Sequence, residues 1–499
     1  MYVAPELLLR SLQSELAPVL GDDAAEASAA QSIRSAIKLL EVRDQGGAEL
    51  VRQRLATLGD VLKTLQRRFA SNAAWQDEIS RLRDDCRKAR RQSSQAELEV
   101  RWRSLLGGLE TLAARLVADA NVAASDRAQL ALRLGAWEAD DRRLATTGAS
   151  EAASSADTRI TQARLERYLR ERSGEPDMKL VTFRQLPGGF GKETFLLDVE
   201  GRALSGGLVL RRDPLVATID NDCHYVRNEY PVIKAAFARG FPAPDALWLD
   251  TDHTLLPGGD FMMMRRASGS TGGNVFGSTE ALSDRMVEVL ASAMARLHAL
   301  PPCEELGDLT ESIRRESWHQ SMRDSVHQYV RGWFDLYLRE AHNPSPTLVS
   351  LYGWMLDNVP EAPGAPALLH GDIGFHNMLI DEGRLTAVVD WEFAHAGDPA
   401  EDVGAARNTS RNYSWESFTR HYRAAGGPEI DPARLHYFRI WQHVRNASAS
   451  NLAMGKFATG KIPDLKLAYT GHFHFPIFIQ AACNLLEAGP EGEVAAIRY

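Results

Sequence analysis

The sequence predicts an α+β fold in which an all-helical N-terminal segment precedes a mixed domain of strands and helices. No proline occurs between Pro18 and Pro176, and this interval is rich in Ala, Leu, Arg, Glu and Gln. Such a composition favours helices, because proline would interrupt them. Beyond it, two alternating apolar runs, Leu180–Phe183 and Phe195–Val199, flank a glycine-rich turn. Alternation with a period of two is typical of strands.

Residues 1–150 are predicted to form an antiparallel helical bundle, followed by a flexible linker at about residues 145–155. Breaks are expected near Gly21, Gly46, Ser71 and Ala120. Apolar residues recur there at helical spacing, as in Leu55, Leu58, Leu62 and Leu65, and in Trp102, Leu105, Leu109, Leu112 and Leu116. No catalytic set of residues lies in this segment. Its role is left open between assisting CoA-ester binding, forming a homo-oligomer and recruiting a protein partner.

Length and composition predict a globular protein of two or three domains. The chain has 499 residues, of which 44% are apolar and 25% are charged. A net charge of −9 argues against a nucleic-acid partner. No N-terminal signal pattern and no apolar run of about 18 residues is found, so we expect a cytoplasmic protein without a membrane partner. The four cysteines show no paired spacing, which argues against disulfides and zinc.

The most informative stretch of the chain places two acids and an amide at fixed intervals. Asp372 is followed by Asn377 five residues later and by Asp390 eighteen residues later, each beside a short apolar run. Phosphoryl transfer from a nucleotide needs one carboxylate that accepts the proton of a hydroxyl, and an amide oxygen and a carboxylate that hold magnesium. Ordinary turn chemistry is the alternative for an isolated Gly-Asp. The complete pattern favours phosphate transfer.

The spacing also has a structural interpretation. Gly371 and Gly374 indicate a tight loop that presents Asp372. The apolar runs at residues 378–380 and 385–389 predict two strands of a hairpin, which would bring Asn377 and Asp390 to a common metal ion.

Three segments carry a resemblance to a known family. His370–Asn377, Val389–Glu392 and Gly397–Val403 resemble the aminoglycoside phosphotransferase and choline kinase family over about residues 158–470. The nearest branch is the kinase domain associated with acyl-CoA dehydrogenases, which acts on hydroxyacyl-CoA; the segments that resemble it are Leu208–Pro214, Glu229–Tyr230 and Phe261–Met264.

The resemblance implies a two-lobed protein-kinase-like fold over residues 158–499. Its N-lobe would end at about residue 266, and its C-lobe would follow. It implies ATP or GTP as co-substrate and Mg²⁺ as cofactor. It further implies that Asp372 is the catalytic base, that Asn377 and Asp390 are metal ligands, and that Asp398 with Asp402 anchors the loop.

The nucleotide site is predicted from the region upstream of this loop. Gly188, Gly189 and Gly191 lie in a turn between two strands, where glycines let backbone amides approach phosphate oxygens. A Gly-Gly hairpin is common and is weak evidence by itself. Its position upstream of the Asp372 loop and ahead of Leu208–Arg211 strengthens the prediction of a nucleotide site. Met264 precedes the expected hinge at Arg265–Arg266 and is a candidate for the adenine pocket, although core packing would also explain it.

Arg211 stands where many relatives carry a phosphate-binding Lys. Arg keeps the charge and can bind phosphate oxygens bidentately. Glu229, on a helix predicted over Tyr225–Arg239, is its expected ion-pair partner. Strand alternation places Val209 and Arg211 on one face, and a solvated strand end is the alternative for Arg211 and Arg212.

Several nearby residues receive less specific predictions. Trp391 and Phe393 are expected to pack beside Asp390, and His376 to pack within the loop or to support the site. Glu392 is a candidate further carboxylate of that site. The His472-x-His474 spacing favours a packed segment over a metal site, because no acid or Cys cluster accompanies it.

The acceptor is predicted to be a small anionic molecule, although no acceptor-binding residue is assigned. Residues 403–470 contain ten Lys and Arg against four acids, which favours an anionic acceptor such as a CoA ester. The predicted activity is therefore phosphorylation of a hydroxyacyl-CoA. An antibiotic kinase acting on a macrolide or an aminoglycoside, and a non-catalytic nucleotide-binding scaffold, are the alternatives. The intact set of Asp372, Asn377 and Asp390 argues against the scaffold.

Overall fold

The structure of the protein is a computed structural model. It describes residues 48–49, 51–69, 73–92, 95–144, 160–186, 191–220, 224–272, 281–301, 320–462 and 464–492. The chain folds into two compact units. The helical unit comprises Met1–Ala153, Tyr329–Val359 and Ile440–Val494, and the mixed unit comprises Ser154–Gln328, Pro360–Arg439 and Ala495–Tyr499.

Helices dominate the described residues. In chain order they are α1 (51–68), α2 (Ala73–Ala89), α3 (Gln95–Ala118), α4 (Ala124–Leu144), α5 (Gln162–Ser173), α6 (Val226–Ala238), α7 (Asp284–His298), α8 (Met322–Glu340), α9 (Pro346–Asp357), α10 (Ala400–Thr409), α11 (Trp415–Ala424), α12 (Pro432–Ala458), α13 (Leu465–Tyr469) and α14 (Phe475–Ala488). The boundaries between the two units fall within α8 and α12. None of the described helices is both long and apolar enough to cross a membrane.

The helical unit is built on the apolar stripes that the sequence shows. Leu55, Leu58, Leu62 and Leu65 are each at most 1% exposed, which confirms the predicted core face of α1. The breaks predicted near Ser71 and Ala120 match the ends of α1 and α3, and a further break follows α2. The breaks predicted near Gly21 and Gly46, and the predicted linker, lie outside the described residues.

The N-terminal helices share their core with helices from the end of the chain. Helix α9 packs against α3 and α4, and α14 packs against α4. Gly135 on α4 permits close approach, since a Cβ there would lie 2.4 Å from the Cys483 sulfur. Residues 1–153 thus form one unit with two later segments of the chain. The predicted division into a helical bundle over residues 1–150 and a two-lobed domain over residues 158–499 stays a prediction.

The mixed unit contains a five-stranded antiparallel sheet and two small sheets. The strands are β1 (Lys179–Gln185), β2 (Glu193–Glu200), β3 (Gly206–Arg212), β4 (Ala246–Asp250), β5 (Phe261–Arg265), β6 (Ser270–Thr271), β7 (Ala367–Leu369), β8 (Met378–Asp381), β9 (Arg384–Val388) and β10 (His395–Gly397). The large sheet has the order β1-β2-β3-β5-β4, and the small sheets pair β10 with β7 and β6 with β8 and β9.

This arrangement confirms the predicted α+β fold class with N-terminal helices. Strand β5, the last strand of the large sheet in chain order, ends at Arg265, next to the predicted hinge. Its β3 and β5 pair in register, with Arg211 opposite Met262. The hairpin of β8 and β9 confirms the two strands predicted around Asn377 and Asp390. A single apolar cluster then includes Met264 of the large sheet together with Ile373 and Trp391 of the loops that follow β7 and β9.

Candidate active site

The loop that carries Asp372, residues 370–377, is held by a buried carboxylate. Asp402 at the start of α10 accepts hydrogen bonds from the backbone N–H of His370 at 3.0 Å and of Gly371 at 2.9 Å. His298 Nε2 lies 3.1 Å from the same carboxylate. Burial would raise the pKa of Asp402, but the hydrogen bonds and charge of His298 lower it overall. The loop is therefore fixed by an ionised anchor.

Gly371 is required by the shape of this loop. Its φ is +77°, and a Cβ at this position would lie 2.5 Å from the carbonyl oxygen of Phe393. Both facts exclude a side chain, because the left-handed conformation disfavours one and the neighbouring backbone leaves no space. Gly371 thus lets the Asp372 loop lie directly on the backbone that follows Asp390.

Asp372 contacts two of its own loop neighbours. Its Oδ2 lies 3.2 Å from His376 Nε2 and accepts a hydrogen bond of 3.2 Å from Asn377 Nδ2. Burial would lower the pKa of His376, but the charge and hydrogen bond of Asp372 raise it overall. The side chain of Asp372 stays 35% exposed. His376 therefore contacts the carboxylate of Asp372 directly.

Asn377 and Asp390 are brought together by the β8–β9 hairpin. The N–H of Val389 donates to the carbonyl oxygen of Asn377 at 2.8 Å, so the residue before Asp390 is paired with Asn377. Asn377 Nδ2 is committed to Asp372, which leaves its amide oxygen as the group suited to a metal ion. Asp390 has φ +66°, a conformation that Asp tolerates better than most residues.

Arg211 joins the sheet to the loop that contains Asp390. Its Nε donates to Glu229 at 3.0 Å, and its Nη2 forms an ion pair with Asp390. Burial would lower the pKa of Arg211, but the charges of Asp390, Glu229 and Glu392 raise it. Arg212 points elsewhere and pairs with Glu193 at 2.6 Å. Arg211 and Arg212 therefore pair with different acids, as alternation along β3 leads us to expect, and the phosphate-binding role of Arg211 stays a prediction.

Glu229 of α6 holds two of these elements at once. It is 1% exposed, and its Oε2 accepts from Arg211 while its Oε1 accepts from the N–H of Trp391 at 3.0 Å. Burial raises its pKa, and the charge of Arg211 opposes that shift. Because Trp391 directly follows Asp390, Glu229 fixes the position of the candidate metal ligand as well as that of Arg211.

Lys192 is a residue of the site that the sequence alone did not reveal. Its side chain is 3% exposed, and its Nζ lies 3.3 Å from Glu392 and 3.5 Å from Asp213. It also donates to the carbonyl oxygen of His224. These three acceptors match the three N–H donors of an ammonium group. Lys192 therefore holds the three segments that carry them together. Its place directly after the last glycine of a glycine-rich turn is the signal that could have found it.

Lys192 connects three elements that surround Arg211. Asp213 accepts hydrogen bonds from the N–H of Val226 at 3.1 and 3.2 Å, at the start of α6. Glu392 lies in the loop of Asp390, and its Oε2 is 3.9 Å from Arg211. Through these two carboxylates, Lys192 joins the end of the glycine-rich turn to α6 and to the loop of Asp390.

For those of the remaining predicted nucleotide-binding residues that the structure describes, Gly191 and Met264, it shows the groups that lie beside them. A Cβ at Gly191 would lie 2.8 Å from Glu392 Oε2, so this glycine lets the turn approach the loop of Asp390. Met264 is 6% exposed and belongs to the apolar cluster that also contains Ile373 and Trp391. Gly188 and Gly189 lie outside the described residues. The roles assigned to all of these residues stay predictions.

The positive charge counted over residues 403–470 is partly neutralised by acids from outside that segment. Arg420 pairs with Asp284 at 3.0 Å, Arg434 with Asp398, and Lys456 with Glu340 at 3.4 Å. The count of ten basic against four acidic residues included none of these partners. The segment therefore does not form a uniformly positive surface, and the charge argument for an anionic acceptor depends on the arginines that remain.

The residues present fit a magnesium ion better than a protein-only metal centre. Mg²⁺ prefers oxygen ligands and is often held by one or two carboxylates together with phosphate oxygens and water. Asp390 and Asn377 supply a carboxylate and an amide oxygen of that kind. Among the residues that the structure describes, no group of three or more His, Cys, Asp or Glu side chains could hold a metal ion. His472 and His474 are therefore not part of such a group.

Comparison with known proteins identifies relatives of this arrangement. The chain is 30% identical over 329 residues to acyl-CoA dehydrogenase family member 11 of Gallus gallus, a match that takes in 60% of this chain and 40% of the relative. It is 26% identical over 252 residues to acyl-CoA dehydrogenase family member 10 of Mus musculus, a match that takes in 49% and 22%. The chain thus spans less than half the length of these curated relatives.

A solved structure and a family description complete the comparison. The crystal structure of aminoglycoside phosphotransferase APH(4)-Ia is 19% identical, with a TM-score of 0.45; the match covers 66% of this chain and 99% of that one. The family described as "Phosphotransferase enzyme family" matches residues 182–438, which include all the residues of the candidate site. Since that match extends over 257 of 499 residues, the chain belongs to the phosphotransferase enzyme family.

Proposed function

We propose that the protein is a kinase that transfers the terminal phosphate of magnesium-bound ATP or GTP to a hydroxyl group of a small molecule, with hydroxyacyl-CoA as the acceptor class. The observation that carries this proposal is the convergence of Asp372, Asn377, Asp390, Arg211 and Glu229 within one compact unit. Phosphoryl transfer needs positioning and charge stabilisation more than covalent chemistry, and these groups supply both.

Asp372 is the base in this proposal. Its side chain is 35% exposed, so a hydroxyl can approach it. Its contacts with His376 and Asn377 restrict the carboxylate to one orientation. A positioned carboxylate can accept the proton of the attacking hydroxyl as the bond to phosphorus forms.

Asn377 and Asp390 would hold Mg²⁺, which supplies charge neutralisation at the phosphates when it is bound. Arg211 would contact phosphate oxygens, because a guanidinium can donate two parallel hydrogen bonds to them. Glu229 supports both functions, since it holds Arg211 and the backbone next to Asp390. The glycine-rich turn that ends at Gly191 would cover the phosphates.

The acceptor class is supported by two observations. The curated relatives carry acyl-CoA dehydrogenase in their names, and the matched region is only a part of each. Among the residues that the structure describes, no acid pairs with Arg407 or Arg439, whereas Arg420 and Arg434 each have an acidic partner. An acyl-CoA carries several phosphate charges, which such arginines can bind.

The test is turnover with a defined panel of acceptors. The purified full-length protein is incubated with Mg-ATP or Mg-GTP and with 3- and 4-hydroxyacyl-CoAs, macrolides or aminoglycosides, and phosphorylated products are identified by mass spectrometry. We expect phosphorylation of a hydroxyacyl-CoA. Phosphorylation of an antibiotic alone would overturn the acceptor class. Absence of nucleotide binding and hydrolysis with every acceptor would overturn the kinase proposal.

A further inference from the structure

Two arginines of the mixed unit lie close together where α10 and α12 pack. Arg407 belongs to the last turn of α10, and Arg439 to the early part of α12. The helices approach closely, since a Cβ at Gly404 would lie 3.1 Å from the backbone nitrogen of Arg439. Burial, together with the positive charge of Arg407, lowers the pKa of Arg439 to about 10. The two guanidinium groups therefore repel each other.

Neutral groups hold both side chains in place. Arg439 Nε donates to Asn408 Oδ1 at 3.0 Å, and Asn408 Nδ2 donates back to the carbonyl oxygen of Arg439 at 3.0 Å. Arg407 donates to Ser410 Oγ at 3.2 Å, and its guanidinium carbon lies 5.3 Å from the ring centre of Trp415. Because these partners are neutral, they orient the two arginines without compensating their charges.

Other arginines of the same region have acidic partners. Arg434, five residues before Arg439 on α12, pairs with Asp398, and Arg420 on α11 pairs with Asp284. Within the described part of the chain, neither Arg407 nor Arg439 has a carboxylate at ion-pair distance. A guanidinium group has five N–H donors. An anion that binds between these two arginines would thus find oriented donors and unneutralised charge.

A series of contacts connects the arginine pair to the Asp372 loop. The ring of Phe375, three residues after Asp372, is 6.5 Å from the ring of Tyr413. Tyr413 in turn donates to the carbonyl oxygen of Ala406, the neighbour of Arg407, at 2.7 Å. The path of contacts from Arg407 to the loop of the candidate base thus runs through two aromatic rings. Such a path suits a charged group that is remote from the reacting hydroxyl.

We propose that Arg407 and Arg439 form a subsite that binds phosphate groups of the acceptor, as in the nucleotide portion of a CoA thioester. The subsite rests on the proposed function, because it assigns the anionic end of the acceptor of that reaction. It anchors the acceptor at a distance and takes no part in proton or phosphoryl transfer. Arg407 and Arg439 bind the phosphates, while Asn408 and Trp415 are positioning residues.

The experiment measures binding by calorimetry on the full chain, with the nucleotide site filled by a non-hydrolysable Mg-ATP analogue. The probes are CoA, dephospho-CoA, inorganic pyrophosphate and pantetheine, which separate the 3′-phosphate, the diphosphate and the neutral part of CoA. The variants are Arg407→Gln and Arg439→Gln. The matched control is Arg420→Gln, which removes an arginine of the neighbouring helix that already has an acidic partner.

We expect CoA to bind the wild-type protein and each subsite variant to weaken it about tenfold or more, as for the loss of a charge-assisted hydrogen bond to phosphate. Arg420→Gln should leave CoA affinity within about twofold, and pantetheine should bind far more weakly than CoA. Arg439→Lys should retain part of the affinity, which keeps the test decisive if Arg439→Gln fails to fold.

Equal CoA affinity in the wild type and both Gln variants overturns the subsite, as does pantetheine binding as tightly as CoA. The measurement needs no turnover, so its failure is separable from failure of the proposed function. If the wild-type protein phosphorylates a hydroxyacyl-CoA and both Gln variants do so with the same acceptor KM, the subsite alone is refuted. A protein that binds CoA through both arginines but binds no nucleotide refutes the kinase proposal alone.

Discussion

The two units of the molecule use carboxylates in different ways. In the helical unit, Glu110 accepts from the hydroxyl of Tyr337 at 2.7 Å and from the N–H of Ser345 at 3.0 Å. Glu138 accepts from the hydroxyl of Ser345 and from the N–H of Thr347. In the mixed unit, Asp372 and Asp390 keep side-chain exposures of 35% and 39% beside charged groups.

This difference distinguishes a structural acid from a candidate functional one. Glu110 and Glu138 join a later loop to the N-terminal helices through neutral hydrogen-bond donors, so their charge is not essential to the contact. Asp390 faces a cation and retains access to solvent, which a metal ligand requires. Removal of the charge from Asp372 or Asp390 should therefore matter, whereas removal of the charge from Glu110 or Glu138 should not.

The largest effect is expected for Asp390→Ala. A hard cation loses its carboxylate ligand, which costs several kcal/mol of charge stabilisation and lowers turnover by roughly a thousandfold or more. Calorimetry should show weaker binding of Mg-nucleotide. Asp390→Asn is the matched control for the backbone, because Asn tolerates positive φ and Ala does not. Unchanged Mg-nucleotide affinity in both variants would contradict the assignment.

Asp372→Asn should lower turnover by roughly 10²–10⁴-fold, the usual contribution of a positioned proton acceptor. Nucleotide affinity and melting temperature should stay close to the wild-type values, since the side chains have nearly the same shape. Steady-state kinetics and a thermal melt check both expectations. Near-normal turnover in this variant would remove Asp372 from the role of base.

A smaller effect is expected when Lys192 is replaced by Met. Asp213 and Glu392 then lose their shared cation, so the glycine-rich turn is no longer tied to α6 and to the loop of Asp390. We expect the nucleotide KM to rise by about tenfold, with a smaller change in the acceptor KM, because in the proposed site the glycine-rich turn contacts the nucleotide and not the acceptor. Lys192→Arg should restore most of the activity.

Glu193→Gln provides the matched control for Lys192. Glu193 is the next residue, at the start of β2, and pairs with Arg212 at the end of β3, but this pair does not include the loop of Asp390. Its nucleotide KM should stay within about twofold of the wild-type value. If Lys192→Met and Glu193→Gln raise the nucleotide KM equally, the tie has no specific role.

The smallest effect is expected for Glu110→Gln in the helical unit. Burial raises the pKa of Glu110 above the ordinary 4.5, and the hydrogen bonds from Tyr337 and Ser345 only partly offset this. A raised folded-state pKa contributes stability that is present below the unfolded pKa and is lost as the pH rises through the folded value. Glu110→Gln should therefore flatten the pH dependence of unfolding above pH 4.5.

At pH 7 the same substitution should change the free energy of unfolding by no more than about 1 kcal/mol, because Gln keeps an acceptor oxygen for both donors. Turnover should not change. Denaturant unfolding at several pH values is the measurement. A loss of several kcal/mol at pH 7 would show that the charge of Glu110 is needed, and the contrast between the two units would fail.

Local patterns were sufficient to predict much of the mixed unit. The spacing of Asp372, Asn377 and Asp390 predicted a loop and a hairpin, and β8 and β9 formed as expected. Alternation along β3 predicted that Arg211 and Arg212 lie on opposite faces, and the two side chains do pair with different acids. These features follow from backbone geometry over a few residues, since turns and strand periodicity are set by near neighbours in the chain.

The sequence by itself determined the fold class, the motif residues and the helices that the structure describes between residues 51 and 144. Only the tertiary structure decided which charges are neutralised. Arg420 and Asp284 are 136 residues apart in the chain, and Lys192 and Glu392 are 200 apart, so a local charge count could not pair them. It also decided that the N-terminal helices share a unit with residues 329–359 and 440–494. Burial and ion pairing depend on contacts between distant segments, which the packing of helices and strands creates.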